Sequence, residues 1–222
     1  MSRSIPSSSA RRHYLGVPAE ERQQQRRRRL VEAAIAVFGE RGYHAATVRE
    51  VCAQARLTER YFYESFKSMA ELFAAAYAEV LGQLKQRTLP AIQAHAEDRP
   101  LQMAEAGLRV FFEYVRDHPA QARLLLVDAL SINQDVLQLC GDALHEYTAL
   151  ARELLARSPA GAPAGQAEPG LLAAGLIGFN IHVATAWLLE GCATPLDRVV
   201  QTALLAYRML EAPPAAPPGK EH

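Results

Sequence analysis

The stretch Thr47–Leu72, TVREVCAQARLTERYFYESFKSMAEL, reads as two short helices about a tight turn, followed by the start of a third. Thr47 stands where the first helix needs an N-cap, and Glu50, three residues on, supplies the reciprocal partner of a capping box. Val48, Val51, Cys52 and Ala55 recur at three- and four-residue spacing, which places them on one face. Arg56 and Leu57 make the corner, and Thr58 caps the second helix. There Phe62 and Phe66 point inward with Leu57, leaving Glu59, Arg60, Tyr61, Tyr63 and Lys67 outside. Ser68 and Glu71 repeat the capping-box spacing at the next helix. Such a pair of helices, the second displaying Arg, Thr and Tyr, forms a helix-turn-helix whose second helix fits a DNA major groove.

Each exposed side chain then has a chemical use. Arg60 matches guanine O6 and N7, the commonest specific base contact. Tyr61 suits a thymine methyl or a sugar, and the Thr58 hydroxyl a phosphate. Thr47 and Arg49, at the amino end of the preceding helix, complete a backbone clamp. Glu59 is placed to orient Arg60 or to reject sequences rather than to bind.

This stretch resembles the DNA-binding head of the tetracycline-repressor (TetR) family of bacterial regulators. The residues that carry the resemblance are Gly42-Tyr43, Thr47-Val48, Val51-Cys52, Ala55, Leu57-Thr58, Arg60, Phe62-Tyr63, Phe66, Ser68 and Leu72, within a head spanning Arg22 to Leu84. By the resemblance, Tyr63 and Lys67 stand where the family grips phosphate. Three positions depart from the family pattern: Arg56 replaces a usual Gly, Ser65 a usual His or Tyr, and Met69 a usual Lys. The last two bear on phosphate contacts, one of which Lys67 is placed to replace.

The charge distribution agrees with a polyanionic partner at one end. The chain is neutral overall, but residues 1–68 carry 13 Lys and Arg against 7 Asp and Glu, and residues 69–222 carry 11 against 17. A basic head on an acidic body steers one end toward nucleic acid and holds the other away. Cys52, Cys140 and Cys192 are odd in number and widely spaced, which suits a reducing cytoplasm and offers neither a disulfide framework nor a zinc site.

Residues 1–17 lack acidic residues and are rich in Ser and Arg, with no apolar run behind them; a disordered basic arm is expected. A helix follows from Pro18 to Arg41, ended by Gly42, with Leu30, Ala34, Val37 and Phe38 as its core stripe. Its run Arg26-Arg27-Arg28-Arg29 turns about 100° per residue, so two at most can lie along a phosphate backbone and the others are solvated. The head is placed at 18–67 and a helical body at 68–212, with a flexible linker at 158–170 and a disordered tail from 213. The body begins with a helix from Ser68 that Pro90 is expected to stop. Further helices are read at Pro100–His118, Ala120–Leu130, Asn133–Arg157, 171–190 and 196–210, giving an all-α fold of about nine helices.

Leu171–Leu189 has no charged residue and is long enough to span a bilayer, but Asn180 and His182 at its middle are costly in lipid, and a buried helix with no membrane partner is the better reading. The resemblance implies that this helix and the last one pack against a second copy as a four-helix bundle, giving a homodimer. It also implies an effector pocket between the middle helices of each body. Candidates for that pocket are Phe73, Tyr77, Phe111, Phe112, Val115, Leu125, Asp128, Tyr147, His182 and Trp187. Asn180 also stands out, because a buried polar group on an apolar helix needs a partner.

No phosphate-binding glycine loop, nucleophile elbow or zinc-protease motif occurs, so neither an enzyme nor a cofactor is expected. The sequence thus describes a cytoplasmic, DNA-binding transcriptional regulator. Its expected action is that of a repressor released from a palindromic operator by a small apolar or amphipathic effector. The competing readings are a regulator with no small effector, and a helical enzyme or lipid carrier with a vestigial head.

Overall fold

The computed structural model describes residues 19–95, 99–128, 134–157 and 168–211. The basic arm, most of the 158–170 linker and the C-terminal tail lie outside the described residues. Among the described residues the fold is entirely helical. A long first helix, α1 (Ala19–Arg41), is followed by a 3-10 turn (Tyr43–Ala45), α2 (Val48–Ala55) and α3 (Glu59–Ser65). The body comprises α4 (Met69–Gln93), α5 (Pro100–Asp117), α6 (Pro119–Leu126), α7 (Gln134–Arg157), α8 (Pro169–Leu189) and α9 (Leu196–Glu211).

Local chemistry fixes the boundaries of the head. Gly42 adopts φ 78° to leave α1, and its N–H donates to the Phe38 carbonyl at 2.7 Å. The capping box of α2 is complete: the Thr47 N–H donates to Glu50 Oε2 at 3.0 Å and the Glu50 N–H to Thr47 Oγ1 at 3.3 Å. Arg56 ends α2 in the left-handed region (φ 53°, ψ 45°), which turns the chain sharply enough for Leu57 N–H to reach the Cys52 carbonyl at 2.9 Å. Ser68 caps α4 through the Glu71 N–H at 3.2 Å, while the Glu71 carboxylate reaches back to the Lys67 N–H at 2.7 Å.

Three expected boundaries shift. Pro90 does not stop α4, which continues to Gln93. Proline removes only its own donor and strains the preceding turn, and here tertiary packing outweighs that: a Cβ on Gly107 of α5 would lie 2.8 Å from Ile92 Cγ1, so the last turn of α4 sits directly on the α5 backbone. The short helix ends at Leu126, before Asp128 rather than at Leu130. The linker ends earlier than Gly170, because Glu168 caps α8 through the Leu171 N–H at 2.6 Å and Pro169 occupies its first turn.

Three hydrophobic cores result, the smallest joining Ala151 and Leu155 of α7 to Ala173 and Leu176 of α8. The head core holds Leu30, Phe38, Val51, Phe62, Phe66, Leu72 and Phe73, and takes in Tyr77 of α4, Tyr114 of α5 and Leu124 of α6. The body core holds Phe112, Val115, Ala122, Trp187, Val200 and Leu204. Trp187 keeps its indole N–H satisfied by the Thr194 carbonyl at 2.9 Å. α5 and α6 therefore contribute to both the head core and the body core, and α4 joins the head core to the body through its packing on α5.

Candidate nucleic-acid interface and internal cavity

The outward face of α3 is a set of side chains held by near neighbours. Tyr63 is 64% exposed, its ring braced edge-on against buried Phe62 at 5.1 Å. Arg60 is largely exposed and is held by Glu64, one turn on, at 2.9 Å. The orienting carboxylate is thus Glu64 and not Glu59, because Glu64 shares the i,i+4 face with Arg60. Thr58 occupies the N-cap position of α3, but its hydroxyl makes no capping bond. The expected cap is absent, and the hydroxyl is not held by the helix end. Thr47, Arg49 and Lys67 are exposed beside this face. Thr47 Oγ1 is shared with Glu50 at 2.9 Å. Glu50 in turn receives Arg41 Nη1 at 2.7 Å. These hydrogen bonds from Thr47, together with Arg41, hold the Glu50 carboxyl below its ordinary value.

Tyr61 and the arginine run differ from the sequence reading. Tyr61 is not fully outside: Arg26 lies over its ring at 4.6 Å and leaves it half-buried. In the arginine run Arg28 is exposed as expected, whereas its neighbours are tied to the head. Arg27 stacks on the Phe66 ring at 4.1 Å and donates to the Ser65 carbonyl at 2.8 Å. Arg29 donates to the Ala55 carbonyl. α1 crosses close behind the carboxyl ends of α2 and α3, so these long side chains find unpaired helix-end carbonyls, where a cation is favoured.

The body contains a cavity of about 170 Å³ lined by α4, α5, α6, α7, α8 and α9. Its walls are aliphatic and aromatic, including Leu81, Leu84, Leu108, Leu126, Leu144 and Ile181. No Asp, Glu, Lys or Arg lines it. Its polar groups are neutral. The Thr88 hydroxyl meets Tyr147 OH at 2.8 Å and the Leu84 carbonyl at 3.0 Å, and Asn180 Nδ2 donates to Tyr207 OH at 2.8 Å. Burial pushes the Tyr147 and Tyr207 phenols up, so both stay protonated.

Of the ten pocket candidates, Tyr77, Phe111, Leu125 and Tyr147 line the cavity. Phe73 is instead in the head core, and Phe112, Val115 and Trp187 pack the body core. His182 lies on the exposed face of α8, because it is two residues, about 200°, from inward Asn180. Asp128 lies at the head–body junction. Its carboxyl accepts from the Tyr43 backbone and lies 4.0 Å from Arg123 Nε. Burial pushes that carboxyl up, and Arg123 opposes the shift. Cavity residues that periodicity did not single out include Thr88, Ile92, Met103 and Gly107. The lone hydroxyl of Thr88 on an otherwise apolar helix face was the available signal.

α8 is the one helix among the described residues long and apolar enough to cross a membrane. One side of it faces the cavity and cores. On the other, Leu171 is 75% and Leu189 66% exposed, and a Cβ on Gly175 or Gly178 would meet nothing within 4 Å. No group of His, Cys, Asp and Glu suited to a metal ion occurs among the described residues.

Residues 30–76 match the family described as bacterial regulatory proteins, tetR family. The HTH-type transcriptional activator FasR of Mycolicibacterium smegmatis is 26% identical over 172 residues, which cover 78% of this chain and 74% of that protein. The transcriptional regulator FadR from Bacillus subtilis, solved in complex with stearoyl-CoA, has a TM-score of 0.70 at 18% identity, covering 83% of this chain and 97% of that one. AibR, solved in complex with isovaleryl coenzyme A and operator DNA, has a TM-score of 0.64 at 15% identity, covering 81% of this chain and 96% of that one. At such identities the structural matches establish a common fold.

Proposed function

We propose that the chain is a regulator of the TetR family, as the match over residues 30–76 supports, that it binds DNA through its helix-turn-helix head, and that its effector is an acyl compound, carried as a coenzyme A thioester, whose chain enters the body cavity. The observation that carries this reading is the cavity itself. It is apolar, free of charged side chains, and walled in part by α4, α5 and α6, which also enter the head core. An aliphatic chain fits such walls, whereas an anionic headgroup has no partner there and belongs outside. Two solved relatives of the same fold hold acyl-CoA ligands.

The protein acts as a cytoplasmic homodimer. α8 and α9 present the face, with Leu171, Leu189 and, on α9, Leu205 at 53% exposure. Gly175 and Gly178 let a second copy approach closely. Two heads then read a palindrome with half-sites about one helical turn apart. Thr47, Arg49, Thr58, Tyr63 and Lys67 hold the backbone, Arg60 reads guanine, and Tyr61, braced by Arg26, adds a base or sugar contact. Effector in the cavity favours a body conformation in which α4 and α6 move the heads off the half-sites, so the ligand acts through its differential affinity for two states. Loss of the operator then relieves repression.

Selection of bound sequences from a random DNA pool tests the DNA reading. An enriched palindrome supports it. Retention without a motif, vanishing at higher salt as bare phosphate binding does, refutes it. The second reading, favoured by the activator named in Mycolicibacterium smegmatis, is that the DNA-bound form raises transcription. In vitro transcription separates the two, since added protein lowers transcript in the first case and raises it in the second.

A further inference from the structure

The two polar pairs in the cavity wall differ in one respect. The Thr88–Tyr147 pair is complete: the phenol donates to the Thr88 hydroxyl, which donates to the Leu84 carbonyl, and the chain ends on backbone. The Asn180–Tyr207 pair is not. Asn180 uses its Nδ2 on Tyr207 OH at 2.8 Å, while its Oδ1 is buried and accepts no hydrogen bond among the described residues. The side chain is 5% exposed and bounds the cavity beside Ile177, Ile181 and Leu154. A buried amide oxygen left without a donor is unfavourable. A lone water would need two or more polar partners, and this wall offers few.

We propose that Asn180 is a specificity residue for the effector, accepting a hydrogen bond from a donor set within an otherwise aliphatic molecule. Two sources carry that chemistry: a hydroxyl on the acyl chain, or an amide N–H of the pantetheine arm of a thioester. A hydroxyl satisfies the amide in either orientation, since it both donates and accepts. The consequence is selectivity of a definite sign. An apolar pocket discriminates weakly against an added hydroxyl, whereas a site that presents an unmatched polar group rejects the ligand that lacks the partner. The inference rests on the acyl reading of the cavity and deepens it.

The test measures binding of three probes to the full chain by calorimetry: stearate, a mid-chain hydroxystearate, and stearoyl-CoA. At least one donor-bearing probe should bind about tenfold more tightly than stearate, the scale of one hydrogen bond made against one left unmade. Which probe gains identifies the source. In Asn180→Leu that advantage should fall to near onefold, with stearate bound as well as before or better. Equal affinity for all three in the wild-type protein overturns the inference, and so does an advantage that survives in Asn180→Leu. If that variant does not fold, Asn180→Ala takes its place with the same two outcomes. Failure of every probe to bind removes the acyl reading and this inference together, whereas equal binding removes only the role of Asn180.

Discussion

The head and the body use their polar side chains in opposite ways. At the helix starts and on the outer face of α3 they act locally: Thr47 with Glu50, Ser68 with Glu71 and Arg60 with Glu64 are each three or four residues apart, while behind that face Arg27 and Arg29 reach across from α1. The interior beneath is left to hydrocarbon, with Phe38, Phe62, Phe66 and Phe73 fully buried. In the body the pairs reach between helices, Thr88 to Tyr147 and Asn180 to Tyr207, around an open space of about 170 Å³. The contrast follows from the two tasks. A face that meets a rigid duplex needs side chains preorganised by short-range bonds. A chamber that admits a molecule must keep space unfilled, and long-range pairs hold its walls apart.

The largest effect that sharpens this contrast lies in the head core. Phe62→Ala should destabilise the head by about 3–5 kcal/mol, abolishing operator binding while the body stays helical. Circular dichroism beside operator titration separates the two. Next comes the seam between the halves. A Cβ on Gly39 would lie 2.8 Å from Ala120 Cα and 2.9 Å from its carbonyl oxygen, so Gly39→Ala must push α6 from α1. A cost of about 1–3 kcal/mol is expected, read in thermal unfolding, together with a weakened response of operator affinity to effector.

A smaller effect concerns reading rather than folding. Arg60→Ala should weaken operator binding by about 1–3 kcal/mol and relax selection at one base pair, whereas Lys67→Ala should weaken all sequences alike and lower the salt slope by about 0.9. Arg56→Gly has the opposite sign to the core variants. The φ of 53° strains a side chain that glycine lacks, so a gain of about 0.5–1 kcal/mol is expected in urea unfolding.

The smallest effect depends on pH. Glu50 is held below its ordinary value of 4.5 by the Thr47 hydrogen bonds and Arg41. A depressed carboxyl contributes stability that is present above the unfolded-state value and is lost as pH falls through the folded one. The stability difference between wild type and Glu50→Gln, open near pH 7, should therefore close progressively below about pH 4.5.

The same contrast explains what the sequence disclosed. The head was legible because its signals are local: a threonine three residues before a glutamate, two phenylalanines one turn apart, a glycine after an apolar stripe. Its misreadings arose where a neighbour in space intervened, as when Arg27 and Arg29 found the carbonyls of Ser65 and Ala55. In the body, helix periodicity found the elements, yet it could not separate a residue that fills a core from one that lines a cavity. Phe111 and Phe112 are adjacent, but only Phe111 faces the space. Pro90 misled for the same reason, since the contact that carries α4 past it involves Gly107, far along the chain. Asn180 was recognisable as a polar residue on an apolar helix, but its half-satisfied state exists only in three dimensions.

The most direct test of the coupling between the two halves is operator affinity measured with and without stearoyl-CoA at one salt concentration. Occupancy of a cavity walled by α4 and α6 should weaken operator binding at least about tenfold, a coupling of about 1.4 kcal/mol. Equal affinity in both conditions, with the ligand shown to be bound, would contradict it, because a ligand that does not distinguish two states cannot shift them.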